Sequence, residues 1–220
     1  MPCITHRKAS VKFADDVYEP AEDSFLLADA ALEYAKQGMK ILEIGTGTGF
    51  VSAVLQSNLD VDLLATDINP HAVKCACDNG VLTIRADMFS AFKPVQYFDM
   101  IIFNPPYLPT SEEDKVPGWL NYAFDGGVDG TGPLCRFLEK VSLHLRPNGI
   151  ILLLISSLTG IEKTKLCMEE AGFEPEVVEK EKCFFEELVV LKGIRKDKPQ
   201  KDEVIRQDHM NESINSSTRV

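Results

Sequence analysis

No stretch of the 220 residues is apolar over the roughly 18–20 positions that cross a bilayer, so a helical membrane span is excluded. Residues 1–12 carry Arg7, Lys8 and Lys12 but lack the apolar core of a secretory leader, and a cytoplasmic location is the expectation. The cysteines, Cys3, Cys75, Cys77, Cys135, Cys167 and Cys183, form no C-x-x-C pair. A zinc site of ordinary spacing is therefore missing and no metal site is expected; core or free thiols are the main reading, a disulfide or metal role the lesser one. Positive charge is also scarce. Lys and Arg number 23 against 34 Asp and Glu, for a net charge of −11 and a pI near 4.9. Residues from 193 onward carry a net +1, which leaves −12 on residues 1–192. Such a body is poorly suited to a phosphate backbone, so no direct nucleic-acid binding is expected, although a basic protein partner stays open.

What is present is a regular alternation of short apolar runs and amphipathic segments. Pro20 to Lys36 reads as a helix, with Glu22 and Asp23 at its positive end and Gly38 as its stop. Strands are predicted at Lys40–Ile44, Val61–Thr66, Val81–Ala86 and Phe98–Phe103, with helices at Gly47–Ser57 and from Asn69-Pro70 to Asn79-Gly80. A Pro-, Gly- and acid-rich loop follows from Asn104 to about Gly132. Next come a helix using Leu134, Phe137, Leu138, Val141 and Leu145, a buried strand at Gly149–Ser156, a helix at Ile161–Ala171, and a closing hairpin at Glu174–Glu179 and Phe184–Leu191. This order predicts an α/β fold: an open, mostly parallel sheet with helices on both faces. Residues 193–220 form a polar tail with little to bury, read as disordered from Arg195.

The loop after the first of these strands, Glu43-Ile44-Gly45-Thr46-Gly47-Thr48-Gly49, lacks one residue that a dinucleotide fingerprint needs. Position 50 is Phe, where G-x-G-x-x-G requires a third glycine. The spacing E-x-G-x-G-x-G fits a methyltransferase loop better, and a plain strand-to-helix turn is the bland alternative. Asp67 ends the next strand about 20 residues on, where a carboxylate meets ribose hydroxyls; it also suits a cap for the helix starting near Asn69. Asp87 and Met88 end the third strand, where an adenine would lie, with a simple turn as the competing reading.

Asn104-Pro105-Pro106-Tyr107 follows the fourth strand, at the carboxyl edge where open sheets bind ligands. Two prolines stiffen the backbone and leave carbonyls without neighbouring N–H groups. A planar NH2 group has two protons, and the Asn104 side chain and Pro105 carbonyl can accept one each, with Tyr107 stacked on the plane. Such a clamp supplies proximity and charge stabilisation to a weak amide nucleophile. A rigid proline turn is the alternative.

The chain resembles the HemK/PrmC family of release-factor glutamine methyltransferases. The stretches that carry the resemblance are Tyr18 to Ser24 (Y-E-P-A-E-D-S), Glu43 to Gly49, Asp67-Ile-Asn-Pro70, Asp87, Asn104 to Tyr107 and Ala123 to Gly130, within a region from about Asp16 to Lys192. The match is to the short archaeal and eukaryotic branch, without the N-terminal helical domain of bacterial members. It implies a Rossmann-like class I methyltransferase with a seven-stranded sheet, and residues 1–192 as one domain. It implies S-adenosylmethionine as cofactor, contacted by Ser24, Glu43, Gly45, Gly47, Asp67, Asp87, Met88 and Asn104, with Asn104, Pro105, Pro106 and Tyr107 as catalytic residues. It also implies a class 1 translation release factor as substrate. A small zinc-binding activator protein would be the heterodimer partner, joined through the edge strand Val81–Ile84. An amino-group methyltransferase on nucleic acid, a protein lysine methyltransferase and a non-enzymatic binding subunit are the competing readings. The −12 body, the planar clamp and the intact Asn104–Tyr107 motif respectively weigh against them.

Overall fold

The computed structural model describes residues 2–111, 113 and 118–196. The chain opens with an antiparallel hairpin, β1 (Cys3–His6) and β2 (Ala9–Lys12), which the sequence reading does not anticipate. Its pattern is weak in sequence because only Ala9 and Val11 turn inward, while Ser10 and Lys12 face water. The hairpin is tied down by tertiary contacts. His6 hydrogen-bonds Asp29 at 2.8 Å and its ring lies 5.0 Å from Phe25 and 5.9 Å from Phe50.

Helix α1 (Glu22–Tyr34) leads to β3 (Lys40–Ile44), α2 (Phe50–Asn58), β4 (Asp62–Asp67), α3 (Pro70–Asp78) and β5 (Thr83–Arg85). Then come β6 (Phe98–Phe103), a 3-10 turn at Trp119–Ala123, α4 (Gly132–Val141), β7 (Leu145–Ser156), α5 (Ile161–Glu170), β8 (Phe173–Lys182) and β9 (Glu187–Arg195). Seven strands form one sheet in the order β5-β4-β3-β6-β7-β9-β8. The first five in that row are parallel; β9 lies antiparallel between β7 and β8. One face is covered by α1, α2 and the hairpin around Leu27, Val54, Met100 and Leu152. The other packs Phe137, Leu138 and Met168 of α4 and α5 on Ile101, Leu153 and Leu191. Strands buried on both faces read as apolar runs, as β7 does.

Several boundaries differ from the expectation, among them Phe184–Glu186, expected in the last strand but lying in the turn before β9. Gly47–Gly49 is loop, and α2 starts at Phe50, because Gly49 is left-handed (φ +81) and a Cβ there would lie 3.0–3.2 Å from Val81 and Ala76. Leu145 belongs to β7, not to the helix before it. The last strand runs to Arg195, so the domain boundary expected after Lys192 falls inside β9, where Gly193 and Ile194 pair with β7 and β8. The tail expected to be disordered lies, beyond Lys196, outside the described residues. Among the described residues no helix is long and apolar enough to cross a membrane.

From β3 the chain winds outward through β4 and β5, then returns to start β6 on the opposite side of β3. The order therefore reverses between β3 and β6. Their carboxyl ends diverge into different connections and leave a crevice there, the usual ligand position in an open α/β sheet.

Candidate active site

A cavity of about 1000 Å³ opens at that crevice. Every site residue expected from sequence lines it: Ser24, Glu43, Gly45, Gly47, Asp67, Asp87, Met88, Asn104, Pro105, Pro106 and Tyr107. The glycine loop closes β3, Asp67 ends β4, Asp87 and Met88 follow β5, and Asn104–Tyr107 follows β6. Parallel pairing aligns these strand ends, so residues far apart in sequence meet along one edge.

Asp67 is buried between two backbone donors. Its Oδ2 accepts from Gly47 N–H at 2.8 Å and its Oδ1 from Asn69 N–H at 2.9 Å. Asn69, not Asp67, caps α3, accepting from His71 N–H at 2.9 Å. Burial pushes the Asp67 carboxyl above the usual carboxylate range, against the two N–H groups that favour its charge. Each carboxylate oxygen has a second lone pair, so Asp67 can hold the loop and still accept from a ligand diol. Glu43 plays an inward part. Its Oε2 accepts from Thr46 Oγ1 at 2.8 Å, from Ser52 N–H at 3.1 Å and from the Ser52 hydroxyl, joining the loop to the first turn of α2. Full burial raises its pKa to about 7. Glu43 thus shapes the cradle through its neighbours.

The Asn104 end of the cavity is organised by Asp23, a residue not expected in the site from sequence. Its Oδ1 accepts from Tyr18 OH at 3.1 Å, Ser24 N–H at 2.6 Å and Ser24 Oγ at 3.1 Å. Its Oδ2 accepts from Asn104 Nδ2 at 2.8 Å. The Asn104 amide is therefore locked with its nitrogen toward Asp23, and its Oδ1 is buried without a protein partner. A buried carbonyl oxygen without a donor is costly, and one that lines a cavity is poised for a ligand N–H. Ser24, expected to touch the cofactor, spends its hydroxyl on Asp23. The signal for Asp23 is present in the Y-E-P-A-E-D-S stretch, which places a carboxylate next to Ser24 at the start of α1. Tyr107 is half-buried, and burial, with the charges of Asp23 and Glu186 nearby, raises its phenol pKa well above normal, so it stays neutral.

At the opposite end, Met88 adopts φ +49, a conformation uncommon for a side-chain-bearing residue and one that clusters at functional sites. Asp87 is exposed and its Oδ2 pairs with Arg136 Nη2 of α4 at 2.6 Å. Arg136, also missed in sequence, lines the cavity. Next to it runs the Pro-, Gly- and acid-rich loop that follows β6. Residues 112 and 114–117 of it lie outside the described residues; Trp119 and Tyr122 line the cavity, and the Trp119 ring faces Arg85 at 5.3 Å. The Ala123–Gly130 stretch is pinned beside the Asn104–Tyr107 motif: Leu108 N–H donates to Phe124 O at 3.2 Å and Gly126 N–H to Leu108 O at 2.9 Å. Carboxylates outnumber cations in the lining, which suits a positively charged ligand. The glycine loop, the diol-competent Asp67 and the acidic walls fit an adenosyl sulfonium cofactor.

Fold and site together define a class I, S-adenosylmethionine-dependent methyltransferase. Residues 13–117 match the family model described as methyltransferase small domain. A putative protein N5-glutamine methyltransferase of Methanocaldococcus jannaschii is 40% identical over 191 residues, covering 84% of this chain and 95% of that protein. The human methyltransferase HEMK2 is 33% identical over 190 residues, covering 80% and 89%. The solved E. cuniculi Mtq2–Trm112 complex, described as responsible for methylation of the eRF1 translation termination factor, aligns with a TM-score of 0.69 at 25% identity, over 82% of this chain and 99% of that one. The chain belongs to the protein N5-glutamine methyltransferase family.

Proposed function

We propose that this chain methylates the side-chain amide nitrogen of the glutamine in the Gly-Gly-Gln loop of a class 1 translation release factor. The observation that carries the reading is the Asn104 Oδ1: buried, without a protein donor, on a cavity-lining residue whose amide is fixed by the Asp23–Asn104 hydrogen bond. When bound, S-adenosylmethionine supplies an electrophilic methyl group on a sulfonium. The protein's part is to hold the nucleophile. Asn104 Oδ1 accepts one amide proton and the Pro105 carbonyl the other, while Tyr107 packs on the amide plane. Acceptors aimed at both protons stabilise the positive charge that develops on nitrogen during transfer, and the fixed plane supplies orientation. Ser24 acts through Asp23, Glu43 through the glycine loop. Gly45, Gly47 and Asp67 cradle the ribose side, and Asp87 with Met88 the adenine side.

A small zinc-binding activator protein belongs to the same proposal. Strand β5 ends the sheet, and Leu82 beside it is 65% exposed, an unprotected edge that favours strand addition. The test is peptide-mapping mass spectrometry of a purified release factor after incubation with this chain and S-adenosylmethionine, with and without activator. One added methyl on the loop glutamine is expected. Methyl groups only on lysine, or only on nucleic acid in parallel reactions, overturn the proposal.

A further inference from the structure

Among the described residues, three buried side-chain atoms lack a hydrogen-bond partner, and two of them, Asn104 Oδ1 and Glu186 Oε2, belong to residues lining the same cavity. Glu186 closes the turn between β8 and β9. Its position is rigid: Cys183 N–H donates to Glu186 O at 2.9 Å, and the next residue, Glu187, exchanges hydrogen bonds with Ser157 at 2.9 and 3.0 Å. A carboxylate oxygen out of water and without a protein donor is a ready acceptor for a donor that arrives with a ligand.

The tip of the same turn is Phe184-Phe185, 92% and 87% exposed. Hairpin tips usually take Gly, Asn or Asp, which reach positive φ cheaply; neither phenylalanine has positive φ, so backbone geometry does not call for them. The two rings meet edge to face at 4.8 Å and form one apolar knob. An exposed aromatic pair next in sequence to a cavity-lining residue marks a contact surface.

We propose that this turn reads the substrate protein: Glu186 accepts a main-chain N–H of the segment entering the cavity, and Phe184 and Phe185 pack on an apolar patch of the same folded protein. A polypeptide pushed into the cavity loses water from every N–H it carries, and each needs an acceptor. Asn104 Oδ1 serves the target amide, and among the described residues Glu186 Oε2 is the other buried, unpartnered side-chain acceptor that belongs to a lining residue. The knob lies outside, where the body of a folded substrate arrives once its loop is inserted.

The inference rests on the proposed release-factor activity, and the assay separates the two. Initial rates are measured with folded release factor and with a short synthetic peptide carrying Gly-Gly-Gln, using the chain with its activator; calorimetry follows cofactor binding. Glu186→Ala is expected to raise KM for both substrates roughly 10- to 100-fold, the range for losing a hydrogen bond to a charged group, with unchanged cofactor affinity. Glu186→Gln, which keeps an acceptor, is expected to recover most of the loss. Phe184→Ser/Phe185→Ser is expected to raise KM for the folded protein at least about fivefold and leave the peptide unaffected. KM values within about twofold of wild type in the Ala and Ser variants overturn the inference while leaving the activity intact, as does equal loss in the Ala and Gln variants. No glutamine methylation by the wild-type chain overturns both.

Discussion

The substitution Asp23→Asn isolates the device that sets the site. It preserves shape and removes one acceptor. Three donors, Tyr18 OH, Ser24 N–H and Ser24 Oγ, converge on Oδ1, so the one carbonyl oxygen left on the substituted side chain settles there. The new NH2 group then faces Asn104 Nδ2, whose hydrogen bond of 2.8 Å to Oδ2 is lost. Two donors repel, and Asn104 relieves the clash by turning its amide over. Its NH2 then points into the cavity where Oδ1 stood, opposite the substrate amide protons. The substrate amide proton thereby loses its acceptor where positive charge develops, about 1.5–3 kcal/mol, and the opposed donor adds about 1 kcal/mol or more. At about 1.4 kcal/mol per factor of ten, turnover falls by roughly 10²- to 10³-fold. The assay is single-turnover methyl transfer to release factor at saturating cofactor, with cofactor affinity from calorimetry. Affinity within about threefold of wild type is expected, since Asp67 and the glycine loop are untouched. Turnover within about threefold of wild type, with cofactor still bound, would refute the positioning role of Asp23.

Asp67→Ala removes the acceptor for Gly47 and Asn69 N–H as well as the proposed ribose contact, and cofactor affinity by calorimetry should weaken roughly 10- to 100-fold; an unchanged Kd contradicts the assignment. Burial raises the Glu43 pKa from 4.5 to about 7, so the folded chain binds the extra proton between those values. The stability Glu43 contributes is full below 4.5 and is lost as pH rises through 7, about 3 kcal/mol in all. Denaturant unfolding of wild type and Glu43→Gln should show that difference in slope, and parallel curves would exclude it. Gly130 has φ +71, and a Cβ there would lie 2.5 Å from the Tyr107 carbonyl oxygen. Gly130→Ala should displace the Ala123–Gly130 stretch and cut turnover at least about tenfold, with the unfolding midpoint little changed because the core is untouched; full activity argues against that packing.

The order of elements and most of the site could be read from the chain itself, because their causes are local. Asn69-Pro70 starts α3 through its own cap and ring, and the apolar run at Gly149–Ser156 marks a strand whatever surrounds it. The glycine loop, Asp67 and Asn104–Tyr107 were readable because each sits at the carboxyl end of a strand, and a parallel sheet brings such ends to one edge. What tertiary structure alone decided depends on contacts across long separations. Asp23 and Asn104 are 81 positions apart, and only the packing of α1 beside β6 makes one fix the amide of the other. The β1–β2 hairpin carries too few apolar residues to announce itself and forms because His6 meets Phe25 and Phe50. Arg136 reaches Asp87 from a helix on the far side of the loop, and β9 extends through Gly193 to Arg195 because strands on both sides satisfy its backbone. The closing hairpin is legible in sequence, but the placement of Glu186 against the cavity follows only from where β9 lies in the sheet, beside β7.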